Sequence, residues 1–158
     1  MTVKHNKLPR NKKTAVFFAI LTLAITVFIF VNSLQNGEES AKQSDFVVKI
    51  ITPILSFFGI DADIRTIGVI VRKAAHFSEY FVLCACATVV FRAIDLKKRL
   101  FIPPIYCLAV AFIDEFVMQM ITEGRAPQFT DVLIDFSGAL AGFLVVLLVK
   151  RNKEVKKI

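Results

Sequence analysis

Residues 73–94, KAAHFSEYFVLCACATVVFRAI, are the stretch that decides the fold. The stretch begins with Lys73, His76 and Glu79 and then continues as a long apolar run to Ile94. A run of about 20 apolar residues is long enough to cross a bilayer as a helix. Ionisable groups at the head of such a run are costly in lipid, so they are candidates for function. The stretch therefore predicts a membrane protein with a buried polar site.

The composition of the whole chain agrees with this prediction. The 158 residues are 56% hydrophobic, and the mean hydropathy of +0.64 is high for a soluble domain. The net charge of +7 is not accompanied by a recognised nucleic-acid-binding module. We interpret the basic residues as topology signals and contacts with anionic membrane lipids, and we expect no nucleic-acid partner. Three cysteines lie within apolar runs and are interpreted as buried thiols: Cys84, Cys86 and Cys107.

Four segments are predicted to span the membrane in an all-α, polytopic helical bundle. A secretory signal is an alternative for the first apolar run, but the run is long for one and no small-x-small cleavage pattern follows it. The second span either begins near Arg72 or belongs to a longer helix that starts at Thr66 and protrudes. A basic tail (1–13) and a second basic tail (151–158) flank a transmembrane domain (14–150), whose spans are predicted at about 14–34, 72–94, 100–121 and 130–149.

A fifth, shorter helix is predicted around residues 46–60, where Lys49 and Pro53 interrupt an apolar segment. The segment is too short for a comfortable span, so it is either interfacial or re-entrant. The polar residues before it are predicted to form a loop with a turn at Gly37. Thr130 is predicted to cap the helix of the fourth span.

The distribution of basic residues predicts the orientation. Four spans put both termini on one side, and the termini share a basic character with the 95–99 loop. The positive-inside rule makes that side cytoplasmic, so we expect a multi-pass protein of the cell membrane with cytoplasmic N- and C-termini. The unusual polar residues of the second, third and fourth spans then fall in the outer leaflet.

These polar residues are the candidate site. Helical spacing puts His76 on one face with Glu79 and on an adjacent face with Lys73 and Tyr80. A structural interpretation is equally open, in which the side chains form internal hydrogen bonds and salt bridges, for example between Asp114 or Glu115 and Lys73 or Arg125. The candidates are Lys73, His76, Glu79, Tyr80, Asp114, Glu115, Gln119, Arg125, Asp131 and Asp135.

Two glycines extend the stripe formed by Asp131 and Asp135 on the fourth span. Gly138 and Gly142 form a G-x-x-x-G pattern, which lets another helix approach closely. Close approach at this stripe would bring both aspartates against a neighbouring helix.

The order and spacing of these motifs resemble the VanZ-like membrane protein family over roughly residues 14–150. The chain lacks tryptophan at aromatic positions that such proteins often carry, and Ala111-Phe112-Ile113 precedes Asp114. The resemblance implies a small polytopic bacterial membrane protein, whose name-giving member is associated with low-level resistance to the lipoglycopeptide teicoplanin. The matching motifs are Ser33-x-Gln35 with Ser40 and Ser44, Lys73-x-x-His76-Phe77-x-Glu79-Tyr80, Asp114-Glu115-x-x-x-Gln119, Gly124-Arg125, and Thr130-Asp131-x-x-x-Asp135-x-x-Gly138.

Three functions are compatible with the candidate site. The first is a non-enzymatic envelope protein that binds a lipid-linked cell-wall precursor or a lipidated antibiotic in an outward-facing polar pocket, and so contributes to glycopeptide resistance. The second is an intramembrane hydrolase of a lipid or phosphate ester, with a divalent metal (Mg²⁺, Mn²⁺ or Zn²⁺) as cofactor. No His-Glu-x-x-His motif or activated serine supports it, so binding is favoured over catalysis. The third is an ion or proton relay, which the confinement of the polar groups to one leaflet disfavours. The candidate metal ligands are His76, Glu79, Glu115, Asp131 and Asp135.

Overall fold

The computed structural model describes residues 11–60, 63–94 and 96–155, and this part of the chain contains helices and no strands. Within these described ranges, five α-helices follow one another along the chain. The fourth helix continues through a π-helical turn, Asp114–Met118, and a 3-10 turn, Gln119–Ile121. A further 3-10 turn, Lys97–Arg99, precedes that helix. The five are α1 (Lys12–Ser33), α2 (Gly37–Phe57), α3 (Ile64–Ala93), α4 (Ile102–Ile113) and α5 (Phe129–Val155). The predicted N-terminal tail up to residue 10, and residues 156–158 of the C-terminal tail, lie outside the described residues.

In the part of the chain that the structure describes, four helical segments are long and apolar enough to cross a membrane: α1, α3, α5, and α4 with its continuation to Ile121. Their outer surfaces are apolar, and Phe17, Ile20 and Leu23 of α1 are 62%, 65% and 65% exposed. A large apolar surface of this kind is typical of a membrane-embedded protein. The predicted all-α bundle with four spans is therefore confirmed, and the protein is a multi-pass membrane protein.

The helix after α1 is longer than the sequence predicts. Instead of a turn at Gly37 and a short helix over 46–60, α2 begins at Gly37 and has 21 residues. The predicted turn is wrong because Asn36 caps a helix start here, accepting a hydrogen bond from the Glu39 amide at 2.9 Å. The carboxylates of Glu38 and Glu39 also suit the positive end of the helix dipole. α2 packs against α3.

The helix of the second span, α3, is unbroken over 30 residues, which corresponds to about 45 Å. Asp63 caps its start by accepting a hydrogen bond from the Thr66 amide at 3.4 Å. Of the two predicted forms of this helix, the structure therefore has the longer one. Arg72 and Lys73 both lie within it, about one turn before His76.

The close contact between α3 and α5 depends on two glycines. A Cβ atom at Gly138 would lie 2.2 Å from the Phe77 carbonyl oxygen, and one at Gly142 would lie 2.1 Å from the Phe81 carbonyl oxygen. Any larger residue would force the two backbones apart. The contact between α3 and α5 is the most extensive contact between two helices of the described chain. Asp131 and Asp135, which share the stripe of the two glycines on α5, are consequently held against α3.

The apolar core lies among α1, α3, α4 and α5. It includes Ile29, Leu83 and Val110, and the thiols of Cys84 and Cys107 are free and buried in it. Away from the polar cluster, the Thr26 hydroxyl and the Tyr106 hydroxyl form a hydrogen bond of 2.6 Å between α1 and α4.

After the connection from α4, helix α5 begins at Phe129, one residue before the predicted start of the fourth span at about residue 130. Gly124 adopts a positive φ of 75° in this connection, and α5 begins at Phe129. Thr130 therefore lies inside the first turn, and the prediction that it caps the helix is wrong. The Gln128 amide at this helix start donates instead to the Glu115 carboxylate at 2.5 Å, which satisfies a group that has no partner within the helix.

Candidate polar site between the helices

The buried carboxylates of the described chain lie at one end of the bundle. This end is formed by the last turn of α1, the first half of α3, the π-helical turn after α4 and the first two turns of α5. Three of the four carboxylates have no exposed surface, and the fourth is 8% exposed. The three carboxylates with no exposed surface belong to Asp114, Glu115 and Asp135, and the fourth belongs to Asp131.

Two carboxylates that are adjacent in sequence are both buried in the bundle at the π-helical turn. Successive side chains of a regular α-helix point about 100° apart, so both members of an adjacent pair are seldom fully buried. Asp114 and Glu115 nevertheless both have 0% exposure at the start of the π-helical turn. Single π-helical turns are frequent at functional sites.

His76, Asp114 and Asp135, hereafter the triad, are the most enclosed part of the site. One nitrogen or oxygen atom of each lies within 4.8 Å of the others. His76 Nδ1 is 3.4 Å from Asp135 Oδ1, which is an ion-pair distance without hydrogen-bond geometry. Within the described chain, no donor meets either carboxylate of the triad in good hydrogen-bond geometry, although His76 lies against Asp135 and the Ser33 side chain is a polar neighbour of Asp114. Because buried polar atoms normally have partners, the triad has spare capacity to bind a ligand.

Two other carboxylates next to the triad already have partners. Glu115 accepts hydrogen bonds from the Gln119 side-chain amide and from the Gln128 backbone. Asp131 forms an ion pair with Lys73 across the α3–α5 interface, at 2.5 Å. Lys73 therefore pairs with a residue of α5 and not with Asp114 or Glu115 as one interpretation had it, and within the described residues neither of these carboxylates forms an ion pair with Arg125.

The C-terminal end of α1 closes one side of the site. Asn32 donates from its side chain to Glu79 at 3.4 Å, and its backbone carbonyl accepts a hydrogen bond from Arg125 Nη2 at 3.3 Å. The Ser33 carbonyl accepts a hydrogen bond from the Thr122 hydroxyl at 3.1 Å. These bonds tie α1 to α3 and to the connection between α4 and α5.

A cleft opens beside the triad, next to α2 and α3, and we call it the α2–α3 cleft. It comprises two adjoining cavities of about 230 and 540 Å³, which share Ser40, Ser44 and Arg72 in their linings. The smaller cavity reaches His76 and Glu79. Lys73 and Asp131 line the larger one, together with charged residues of both signs near the start of α3: Asp45, Asp63 and Arg65.

Two guanidinium groups face the smaller cavity. Arg72 and Arg125 both line it, and neither forms an ion pair within the described residues. Burial, followed by the positive charge of Arg72, lowers the pKa of Arg125, while carboxylates deeper in the site oppose this shift. Arg125 Nε is buried without a hydrogen-bond partner. Glu79 lines the same cavity and accepts a hydrogen bond from Asn32, so the two guanidinium groups outnumber the carboxylate there and favour an anion in the cavity.

The structure brings most of the sequence candidates together, but in three groups. His76 and Asp135 join Asp114, which was not among the proposed metal ligands, whereas Glu115 and Asp131 belong to the two separate pairs just described. Glu79 is tied to α1, and the Tyr80 hydroxyl is buried without a partner one turn from His76. The sequence analysis did not single out Asn32 or Gln128. Asn32 follows the first apolar run and lies at the membrane depth predicted for the other polar groups. Its position at that depth could have identified it as a residue of the site.

Comparison with known families agrees with the motif pattern. The sequence model of the VanZ/LLP1 family matches residues 18–150, which is most of the chain. The chain belongs to the VanZ/LLP1 family. The resemblance drawn from the spacing of the motifs is thereby confirmed. No curated protein and no solved structure matches the chain, so the site of this VanZ/LLP1 protein is interpreted from its own geometry.

Proposed function

We propose that this VanZ/LLP1 protein binds the anionic headgroup of a lipid-linked or lipidated molecule in the α2–α3 cleft. The observation that carries the proposal is the pair of guanidinium groups, Arg72 and Arg125, that face one cavity without a carboxylate in ion-pair contact. Guanidinium groups bind phosphate and carboxylate through paired hydrogen bonds. The buried Nε of Arg125 is a donor that an anionic headgroup would satisfy.

The surroundings of the cleft suit a ligand that also has a hydrocarbon part. Val47, Val71 and Ala75 line the smaller cavity beside its polar residues. Phe46 and Ile50 of α2 are 68% and 53% exposed, so they provide apolar surface on the same helix. The two cavity volumes, about 230 and 540 Å³, are together of the size of small-molecule pockets, which are roughly 300–1,000 Å³. A phosphate-bearing lipid matches both the charge and the apolar walls.

The predicted orientation supports an extracytoplasmic ligand. The cleft lies where α1 ends and α5 begins, which is the end of the bundle opposite both termini. With cytoplasmic termini, as the basic residues predict, the cleft opens towards the outer leaflet. Lipid-linked cell-wall precursors and the acyl tails of lipoglycopeptides are present there. A contribution to teicoplanin resistance is therefore part of this proposal.

A binding measurement on the reconstituted protein tests the lipid proposal. A polyprenyl phosphate is titrated against the protein in nanodiscs, with the corresponding uncharged polyprenol as the comparison lipid. Arg125→Gln and Arg72→Gln are each expected to weaken phosphate-lipid binding about tenfold or more, because a hydrogen bond to a charged group contributes about 1.5–3 kcal/mol. Arg99→Gln is the matched control, since Arg99 is exposed and follows α3 at the other end of the bundle. Equal binding of the phosphate and the polyprenol, or full affinity in both cleft variants, contradicts the proposal.

The resistance part needs a separate test in cells. Teicoplanin susceptibility is compared among strains that lack the gene, carry the wild-type gene, or carry Arg125→Gln at equal membrane abundance. The proposal expects increased resistance only with the wild type. Identical susceptibility with and without the gene removes the resistance role, and leaves lipid binding to be judged by the titration.

A further inference from the structure

We propose that the triad of His76, Asp114 and Asp135 binds a divalent cation of the zinc or manganese class. The proposal stands on the geometry of these three side chains and does not depend on lipid binding in the cleft. The triad joins three separate parts of the fold, namely α3, the π-helical turn after α4, and α5. A cation at this point would link all three at the end of the bundle.

The donor set and its spacing suit such a cation. One imidazole nitrogen and two carboxylates are typical ligands of zinc and manganese. With metal–ligand bonds of about 2.0–2.1 Å in a tetrahedral site, neighbouring ligand atoms lie about 3.4 Å apart. His76 Nδ1 and Asp135 Oδ1 are 3.4 Å apart, and all three ligand atoms lie within 4.8 Å of one another. Binding of the ion would draw any of these atoms that lie farther apart, up to the 4.8 Å limit, towards this spacing.

The burial of the two carboxylates is the second, independent observation. Asp114 and Asp135 have 0% exposure, and within the described chain none of their four carboxylate oxygens is met in good hydrogen-bond geometry, the nearest polar side chains being Ser33 for Asp114 and His76 for Asp135. The neighbouring carboxylates of Glu115 and Asp131 are satisfied by amides and by Lys73, whereas the two carboxylates of the triad share only His76 as an ion-pair partner within the described residues. A divalent cation would neutralise two carboxylates, which removes the cost of burying their charge.

The position of His76 connects the cation to the α2–α3 cleft. His76 belongs to the triad and also lines the smaller cavity. Three protein ligands leave one position of a tetrahedral site for water or for an oxygen atom of a bound molecule. A phosphate oxygen of the lipid in the cleft would suit that position, and this last step alone rests on the proposed function.

Metal analysis of the unaltered protein is the primary test. The wild type is purified without a polyhistidine tag, and its metal content is measured. It is then stripped with a chelator and titrated with ZnCl₂ and MnCl₂, with MgCl₂ for comparison. We expect about one zinc or manganese ion per chain, and a melting temperature that falls on stripping and recovers on reloading. No stoichiometric metal, together with an unchanged melting temperature in chelator, overturns the proposal without any variant.

Conservative variants then assign the ion to the triad. His76→Gln, Asp114→Asn and Asp135→Asn are each expected to reduce zinc or manganese affinity more than tenfold, since even residues that only support a metal ligand contribute about 10–100-fold. Asp131→Asn is the matched control, because Asp131 lies one turn from Asp135 on α5 and pairs with Lys73 instead. Equal metal loss in all four variants overturns the assignment. Arg125→Gln separates the two proposals, because it should weaken lipid binding while retaining the metal.

Discussion

The Gly138→Ala substitution tests whether the polar site depends on close packing of α3 against α5. The new Cβ atom would lie 2.2 Å from the Phe77 carbonyl oxygen, whereas ordinary contacts begin at 3.4 Å, so the helices must separate by roughly 1.2 Å. A gap of about 1 Å removes up to half of the dispersion energy of the contacts it opens, and overpacking costs about 1–3 kcal/mol. Alanine restores about 1 kcal/mol of helix propensity. We therefore expect a net loss of about 1 kcal/mol, and of no more than about 2 kcal/mol, in the free energy of unfolding.

Gly68→Ala in α3 is the matched control for this substitution. Gly68 is also inside a helix, but a Cβ atom there meets only Val48 Cγ2, at 3.9 Å. The control therefore gains helix propensity without a clash, and should be unchanged or about 1 kcal/mol more stable. Equilibrium unfolding in mixed detergent micelles measures both variants. Equal unfolding free energies for Gly138→Ala and Gly68→Ala would refute the close-packing argument.

Three further predictions concern the contacts around the site. A double-mutant cycle with Lys73→Met and Asp131→Asn should give a coupling energy of about 0.2–1 kcal/mol, because Lys73 is 35% exposed; a coupling of zero means that the ion pair does not hold α3 to α5. Glu115→Gln should lower the unfolding free energy by about 1.5–3 kcal/mol, since it removes the charged acceptor of two hydrogen bonds; unchanged unfolding in micelles contradicts this role. Tyr106→Phe should cost only about 0.6 kcal/mol for its bond to Thr26, so a loss as large as that of Glu115→Gln would show that the far end of the bundle matters equally.

The helices that cross the membrane could be predicted because their signal is local. Each depends on a continuous apolar run, and the bilayer thickness fixes how long that run must be. The helical stripe of Asp135, Gly138 and Gly142 could likewise be identified from spacing alone. The start of α2 was missed because Gly37 suggests a turn, whereas the cap at Asn36 and the acidic first turn outweigh it.

The grouping of the site residues depends on tertiary contacts and could not be read from spacing. Asp114 and Glu115 are adjacent in sequence, yet at the π-helical turn the Asp114 side chain lies in the triad, whereas the Glu115 side chain accepts a hydrogen bond from Gln128 at the start of α5. Nothing in the local sequence identifies a π-helical turn. The two carboxylates of the fourth span separate in the same way, because Lys73 meets Asp131 while His76 meets Asp135. Each of these pairings joins different helices, so it depends on how α3 and α5 are aligned.

Photo-cross-linking tests the central claim, that the α2–α3 cleft binds an anionic lipid headgroup. A polyprenyl phosphate with a photoreactive group beside the phosphate is added to the protein in nanodiscs, and the labelled peptides are identified by mass spectrometry. The account predicts labelling in residues 40–47 of α2 and 68–76 of α3, which Arg125→Gln strongly reduces and Arg99→Gln leaves intact. Labelling spread over the lipid-facing surfaces of α1 and α5, unchanged in Arg125→Gln, would contradict it.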